Sequence, residues 1–223
     1  MSSFIKRGMK VLVCIPSYNE FIHSSLVKDI LNFKFDYELR FKSGSLISRI
    51  RNEFLSEFVR DKSFTHLLFI DADMFDFSNT LNTMIYSGKK LIGGIYRKKM
   101  KIEEYNVNLA DCIENTIRFG DIIRLKHVGG GLMLIHRDVI ENMIKMFPNC
   151  RYKHSNGKIY FDLFRVGVVN ERYLSEDYYF CELAGKVGYE TYGVLNSEIT
   201  HHGIMNYRGN FKSYINKILS NSK

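Results

Sequence analysis

A chain of 223 residues that is 45% hydrophobic and 14% aromatic, with only 2 prolines, has the makeup of a packed globular protein, long enough for one substantial α/β domain and short for two. The formal charge of +8 suits a phosphate-bearing ligand, an acidic acceptor or a nucleic acid without choosing among them. No apolar run approaches the roughly 18 residues of a helical membrane span, and the scattered Cys14, Cys112, Cys150 and Cys181 form no Cys-x-x-Cys pair, which argues against an integral membrane protein, a zinc ribbon or a thioredoxin.

At the N-terminus, Met1 to Lys10 carries basic residues, but the apolar stretch that follows is cut by Pro16, so it reads as a strand and not a secretory signal. Together with cysteines in apolar surroundings, this points to a reducing, cytoplasmic setting (host cytoplasm if the source is viral). Lys10 to Ile15 is the first strand, closed by the ligand-facing loop Pro16-Ser17-Tyr18-Asn19-Glu20. Phe21 to Phe33 has helical spacing, Tyr37 to Lys42 alternates as a strand, and Gly44 turns the chain into an amphipathic helix from Leu46 to Val59. A strand over Thr65 to Ile70, a Ser78-capped helix to Tyr86 and a strand from Lys90 to Tyr96 follow. This alternation predicts βαβ units and a mostly parallel central sheet flanked by helices.

Beyond Tyr96 the order loosens. Arg97 to Asp111 reads as polar loop, Phe119 to Val128 as one or two strands, and Gly129-Gly130-Gly131 leads into Leu132 to Ile135 and a helix from about Asp138 to Phe147. Asn149 to Gly157 is a turn-rich, mobile loop in this reading; Ser175 caps a helix to Val187; Tyr189 to Val194 and Glu198 to His201 are short strands. A basic amphipathic segment, Phe211 to Leu219, either packs on the core or meets a membrane or acidic glycan. With no repeat or linker, the expectation is one domain over residues 1–223.

The chemistry concentrates in His66-Leu67-Leu68-Phe69-Ile70-Asp71-Ala72-Asp73-Met74. Four apolar residues in a row suit a strand buried on both faces, and ligands of open α/β sheets bind beyond the carboxyl ends of such strands. In an extended chain Asp71 and Asp73 point the same way and repel unless a cation lies between them. A divalent metal carrying a phosphate answers that; a solvated loop with an Asx turn is the alternative. His201 and His202 are candidate imidazole ligands or ordinary histidines. Arg49 and Arg51 do not share a helix face. Glu176 and Asp177 either carry chemistry or complement a helix dipole. Gly130 and Gly131 either let backbone approach a ligand or form a tight turn, and Arg97-Lys98-Lys99 lies near a diphosphate or is a solvated run.

Taken in order, Leu46-Ile47-Ser48-Arg49-Ile50-Arg51-Asn52, His66 to Asp73, Gly93-Gly94-Ile95-Tyr96, Ser175-Glu176-Asp177 and Thr200-His201-His202-Gly203 resemble the DxD, xED and C-terminal histidine motifs of GT-A nucleotide-sugar glycosyltransferases. The similarity is to compact GT-A domains of phages and large DNA viruses, among them the N-terminal domain of a chlorella-virus glycosyltransferase. It spans about residues 10–209. The resemblance implies a Rossmann-like GT-A fold with a small antiparallel addition, and transfer of a sugar from a UDP- or GDP-linked donor, UDP favoured, to a hydroxyl acceptor such as a glycan. With Asp177 as base the transfer inverts, whereas in a retaining enzyme the same carboxylates only position substrate, and inversion is the favoured of the two. It implies Mn²⁺ or Mg²⁺ held by Asp73 and His201, with Asp71 on the ribose or a metal-bound water. It places Pro16, Ser17, Tyr18, Arg51, Asn52, Asp71, Ala72, Gly130 and Gly131 around the donor, with Asp177 as base beside Glu176. Two alternatives stand beside it. A nucleotidyltransferase or phosphohydrolase would show a glycine-rich phosphate loop, which Ile15 to Glu20 lacks. A nucleic-acid-binding module would cluster its basic residues, which here are spread along the chain.

Overall fold

The computed structural model describes residues 8–112 and 116–221. The reading of a missing signal sequence lies, over Met1 to Arg7, outside the described residues. The first half of the chain runs β1 (Lys10–Ser17), α1 (Ser24–Leu31), β2 (Asp36–Ser43), α2 (Ile47–Arg60), β3 (His66–Ile70), β4 (Met74–Phe75), α3 (Ser78–Tyr86), β5 (Leu91–Gly94) and β6 (Val107–Leu109). The second half runs β7 (Arg118–Phe119), β8 (Ile122–Val128), β9 (Leu132–His136), α4 (Arg137–Met146), β10 (Arg151–Lys153), β11 (Ile159–Phe161), β12 (Gly167–Val169), β13 (Arg172–Leu174), α5 (Glu176–Lys186), β14 (Thr191–Val194), β15 (Thr200–His202), β16 (Asn206–Tyr207) and α6 (Phe211–Asn221).

One nine-stranded sheet has the order β2-β1-β3-β9-β5-β14-β8-β6, with β7 also on β8. β2, β1 and β3 are mutually parallel, and β5 is parallel to β14. Between these groups β9 runs antiparallel to both β3 and β5. The architecture is therefore a mixed α/β fold with a mostly parallel, Rossmann-like central sheet, plus small antiparallel sheets formed by β10–β11, β12–β13 and β16-β15-β4.

The period of two along each strand divides the core. Leu12, Cys14, Leu67, Phe69, Met133 and Ile135 face the layer of α2, α4, α5 and α6, where they meet Phe54, Phe58, Ile140, Phe180 and Ile215. Val11, Val13, Ile15, Leu68, Ile70 and Leu134 face the other way, onto Leu26 and Ile30 of α1 and Leu81 and Met84 of α3. Each such fully buried apolar side chain contributes roughly 1.5–3 kcal/mol. Among the described residues no helix is long and apolar enough to cross a membrane. The basic tail is held to this core: Phe211 and Ile215 are buried, and Lys212 pairs with Asp121 at 2.9 Å.

Several expectations are corrected. The 149–157 stretch expected as a mobile loop forms a 3-10 turn and most of the β10–β11 hairpin, with Tyr152 opposite Tyr160 and Phe161 N–H donating to Ser56 Oγ at 3.0 Å. The polar loop from Arg97 contains β6 at the sheet edge. Ser78 does not cap α3: Phe77 holds the N-cap position and the Ser78 hydroxyl donates to Asp29 at 3.1 Å. Ser175 is at the N-cap of α5, but its hydroxyl donates to the Asp177 carboxylate.

Candidate functional site

Three strand ends converge on a cleft of about 670 Å³ lined by Pro16, Ser17, Tyr18, Asp71, Ala72, Asp73, His201 and His202, among others. The end of β1 forms one wall. Ser17 Oγ donates to Phe21 O at 3.1 Å and Ser17 O accepts from Gly44 N at 3.1 Å, which curls the 17–23 loop around the cleft. Tyr18 is left 78% exposed and Phe21 77% exposed, two aromatic faces at the rim with no place in the core.

The end of β3 forms the floor. Met74 N–H donates to Asp71 O at 3.0 Å, so the chain turns tightly through Ala72 and Asp73 and re-enters a strand at β4. β4 pairs antiparallel with β15, setting Met74 opposite His201, and His202 N–H donates to Asp73 O at 2.8 Å. This short sheet brings a histidine from far along the chain beside the aspartates. His201 Nδ1 lies 3.0 Å from the carbonyl oxygen of Arg97, which can only accept, so Nδ1 carries the proton. The lone pair of Nε2 then faces Asp73 Oδ1 at 3.7 Å. Burial pushes the His201 imidazole below its usual value, with the Arg97 carbonyl and Asp73 opposing, so it is neutral at pH 7. Asp73 Oδ2 pairs with the Lys99 ammonium. His202 bonds Asn206 at 2.8 Å and sits against His23, which stacks on Phe75.

Behind the floor lies a second, buried layer. The Arg51 side chain is 2% exposed and bonds in three directions: Nη2 to Asp71 Oδ1 at 2.8 Å, Nε to Glu176 Oε1 at 3.2 Å and Nη1 to Gly130 O at 3.1 Å. Burial would depress this guanidinium, but the Asp71 and Glu176 charges outweigh it and hold its pKa above the ordinary value. Burial also raises the Asp71 and Glu176 carboxyls, with Arg51 opposing in each. Gly130 N–H donates to Asp177 Oδ2 at 2.8 Å, while Asp177 Oδ1 accepts from the Ser175 hydroxyl and from Tyr178 N–H. A Cβ on Gly130 would come within 2.9 Å of the Arg51 guanidinium, which is why no side chain fits there. Gly131 N–H donates to the Tyr96 hydroxyl at 3.1 Å and Gly131 O accepts from Asp71 N at 2.9 Å, tying the glycine run to the end of β3.

The residues singled out in the sequence thus fall into two groups. Pro16, Ser17, Tyr18, Asp71, Ala72, Asp73 and His201 line the cleft, whereas Arg51, Gly130, Gly131, Glu176 and Asp177 form the layer beneath, joined to it through Asp71. Asn52 is in neither. Its amide donates to Asp162 and Phe164 O and accepts from the Leu163 and Phe164 N–H groups at 2.8–3.1 Å, so it staples the 162–164 loop to α2. Arg49 is exposed. Sequence reasoning missed His23, named Tyr96 only as the end of a motif without giving it a role, and left Lys99 undecided; the spacing of none of them marks a task. Among the described residues no three His, Cys, Asp or Glu side chains are gathered to hold a metal ion by themselves. Asp73 offers a hard carboxylate oxygen and the oriented His201 a borderline imidazole nitrogen, a donor pair better matched to Mn²⁺ than to Mg²⁺ and incomplete without waters or ligand phosphates.

No protein-family model matches the chain, and no curated protein matches it in sequence. Solved structures do. A197 from STIV is similar over 87% of this chain and 86% of its own, with 19% identity and a TM-score of 0.56, a likeness of fold. 4-Diphosphocytidyl-2C-methyl-D-erythritol synthase from Anaerococcus prevotii matches at 13% identity over 66% of this chain and 79% of its own, with a TM-score of 0.33. Neither of these proteins is named as a glycosyltransferase.

Proposed function

We propose that the chain is a single GT-A glycosyltransferase domain that uses a divalent metal to move a sugar from a nucleoside-diphosphate donor, UDP-linked, to a hydroxyl of a glycan. The observation that carries this reading is the pairing of Asp73 with His201. The imidazole is turned by the Arg97 carbonyl so that its free Nε2 faces Asp73 Oδ1 at 3.7 Å, on the floor of a cleft of about 670 Å³ at the carboxyl end of β3. Two acceptors aimed at each other call for a cation between them, and the +8 charge of the chain suits an anionic donor. When bound, Mn²⁺ or Mg²⁺ offsets the charge developing on the diphosphate leaving group.

The chain's residues have the following tasks in this reading. Asp73 and His201 Nε2 would hold the ion. Asp71, fixed at Oδ1 by Arg51, has its other oxygen left for the donor, where it would meet the ribose or the hydration of the ion. Tyr18 offers an exposed ring to the nucleobase, and the loop backbone at Pro16 and Ser17 borders it. Arg51, buried, does not reach the ligand; it holds Asp71, Glu176 and the Gly130 carbonyl in register. Asp177 is assigned the acceptor proton at Oδ2, which accepts only the Gly130 N–H bond and keeps a lone pair; it lies in the layer beneath the cleft, so the acceptor hydroxyl has to reach below the floor to meet it. The transfer then proceeds with inversion.

The test is a panel of nucleotide sugars with Mn²⁺, read by thermal shift and by release of nucleoside diphosphate. Asp177→Asn is expected to keep donor binding and lose transfer. A panel in which no donor shifts the melting temperature or is turned over contradicts the reading, and release of pyrophosphate in its place assigns nucleotidyl transfer.

A further inference from the structure

Lys99 stands where this reading requires a divalent ion. Its ammonium is ion-paired with Asp73 Oδ2 while Asp73 Oδ1 faces His201 Nε2, so one carboxylate is shared between an oriented imidazole and a built-in monovalent cation. The segment that delivers Lys99 is ordered by its own contacts. Arg97 bridges to Tyr105, Lys98 N–H donates to Glu104 O at 2.8 Å, and Lys98 Nζ pairs with Glu104 at 3.0 Å. The Arg97 guanidinium closes the turn on Lys101 O at 2.9 Å. The same segment orients His201 through the Arg97 carbonyl. Gly203, just past the histidines, leaves the gap the lysine stem crosses: a Cβ there would come within 3.1 Å of Lys99 Cδ.

Of the basic residues in this run, Arg97 and Lys98 are spent on the segment itself; Lys99 alone is directed at the aspartate. The pair is 36% and 38% exposed on its two sides, and an ion pair so exposed is worth no more than about a fivefold preference. It is strong enough to hold an otherwise repelling carboxylate in place and weak enough to be displaced. A lysine is also a compact charge on a flexible stem, able to exchange one anionic partner for another.

We infer that Lys99 is a displaceable internal counter-ion of the donor site. It rests on the reading of Asp73 and His201 as metal ligands. Without donor, the ammonium occupies Asp73 and competes with the divalent ion. With ion and diphosphate both present, Lys99 would give up Asp73 Oδ2 and move its ammonium to a phosphate oxygen. Metal alone has to send the ammonium into solvent, whereas metal with diphosphate gives it a new partner. The two ligands therefore bind cooperatively, and by linkage each raises the affinity for the other by the same factor.

The experiment is a titration of free Mn²⁺ by electron paramagnetic resonance with wild type, Lys99→Gln, Lys99→Met and Lys99→Arg, each with and without UDP, and folding checked by circular dichroism. The neutral variants are expected to bind Mn²⁺ alone up to about fivefold more tightly than wild type, and to show an enhancement by UDP smaller than wild type's by at least that factor. Lys99→Arg is expected to track wild type. If the neutral variants match wild type without UDP and UDP strengthens Mn²⁺ binding equally in all four, the counter-ion role is overturned and the donor site stands. If Mn²⁺ binds none of the proteins even with UDP present, the donor-site reading falls and the counter-ion with it.

Discussion

Replacing Arg51 with methionine probes the layer on which the cleft floor rests. The guanidinium joins Asp71 at 2.8 Å, Glu176 at 3.2 Å and the Gly130 carbonyl at 3.1 Å, and its side chain is 2% exposed. Methionine fills comparable volume against Phe69, on whose ring the guanidinium packs at 5.1 Å, so the loss is electrostatic. Breaking a buried ion pair by removing one partner costs about 3–5 kcal/mol, a large share of the roughly 5–15 kcal/mol that stabilises a typical domain. At about 2–4 °C per kcal/mol for a chain of this size, the melting temperature falls by about 6–20 °C. The pH dependence has a definite sign. Asp71 and Glu176 already sit above their reference values of 3.8 and 4.5, and without Arg51 they rise further. A carboxyl raised in the folded state destabilises above its folded pKa and ceases to do so once protonated, so the deficit is widest at neutral pH and narrows on acidification. Circular dichroism melts from pH 5 to 8, with exposed Arg49→Met as control, measure both. A shift no larger than the control's, or one independent of pH, refutes the reasoning.

Gly130→Ala sets a Cβ 2.9 Å from the same guanidinium and is expected to cost about 1–3 kcal/mol in denaturant unfolding; in the Arg51→Met background that cost shrinks, and full additivity in the cycle would contradict the contact. Asn52→Ala strips the acceptor from the buried Leu163 and Phe164 amides and is expected to cost about 2–4 kcal/mol, with hydrogen exchange at those two amides accelerating first; unchanged exchange counts against the staple. His201, held down by burial, is expected to titrate by NMR with a midpoint below 6.5; its contribution to stability is whole above about 6.5 and declines as the pH falls toward the folded value, and a midpoint at or above 6.5 removes the neutral imidazole from the account.

The strands and helices that carry the site are legible in the chain because each buries a periodic set of apolar residues. Phe54, Leu55 and Phe58 mark the inner face of α2, and Leu67 to Ile70 mark a strand covered on both sides. The same covering hides direction. Leu132 to Ile135 is buried on both faces whichever way it runs, and only the fold places it antiparallel between β3 and β5. The β12–β13 hairpin escapes notice because its turn uses Asn170 and Glu171 at positive φ, without the glycine that would announce it. Within the site, Asp71, Asp73 and His201 stand out by motif. The buried arginine network joins residues 20 and 125 positions apart; the helical period sets Arg51, three, four and seven residues before Phe54, Leu55 and Phe58, on the inner face and Arg49 off it, but it cannot name the distant partners. Lys99 is one of three consecutive basic residues, and its pairing with Asp73 depends on the turn that brings a distant segment across the cleft.

The central claim is that Asp73 and the cleft above it hold a nucleoside diphosphate through a divalent ion. Calorimetric titration of UDP into the protein, in Mn²⁺ and in chelator, with wild type and Asp73→Ala, tests it most directly. The account predicts binding that needs Mn²⁺ and weakens by at least about tenfold in the variant, the loss expected when a metal-site residue is removed. Equal affinity in chelator, or an Asp73→Ala protein that binds as wild type does, contradicts it.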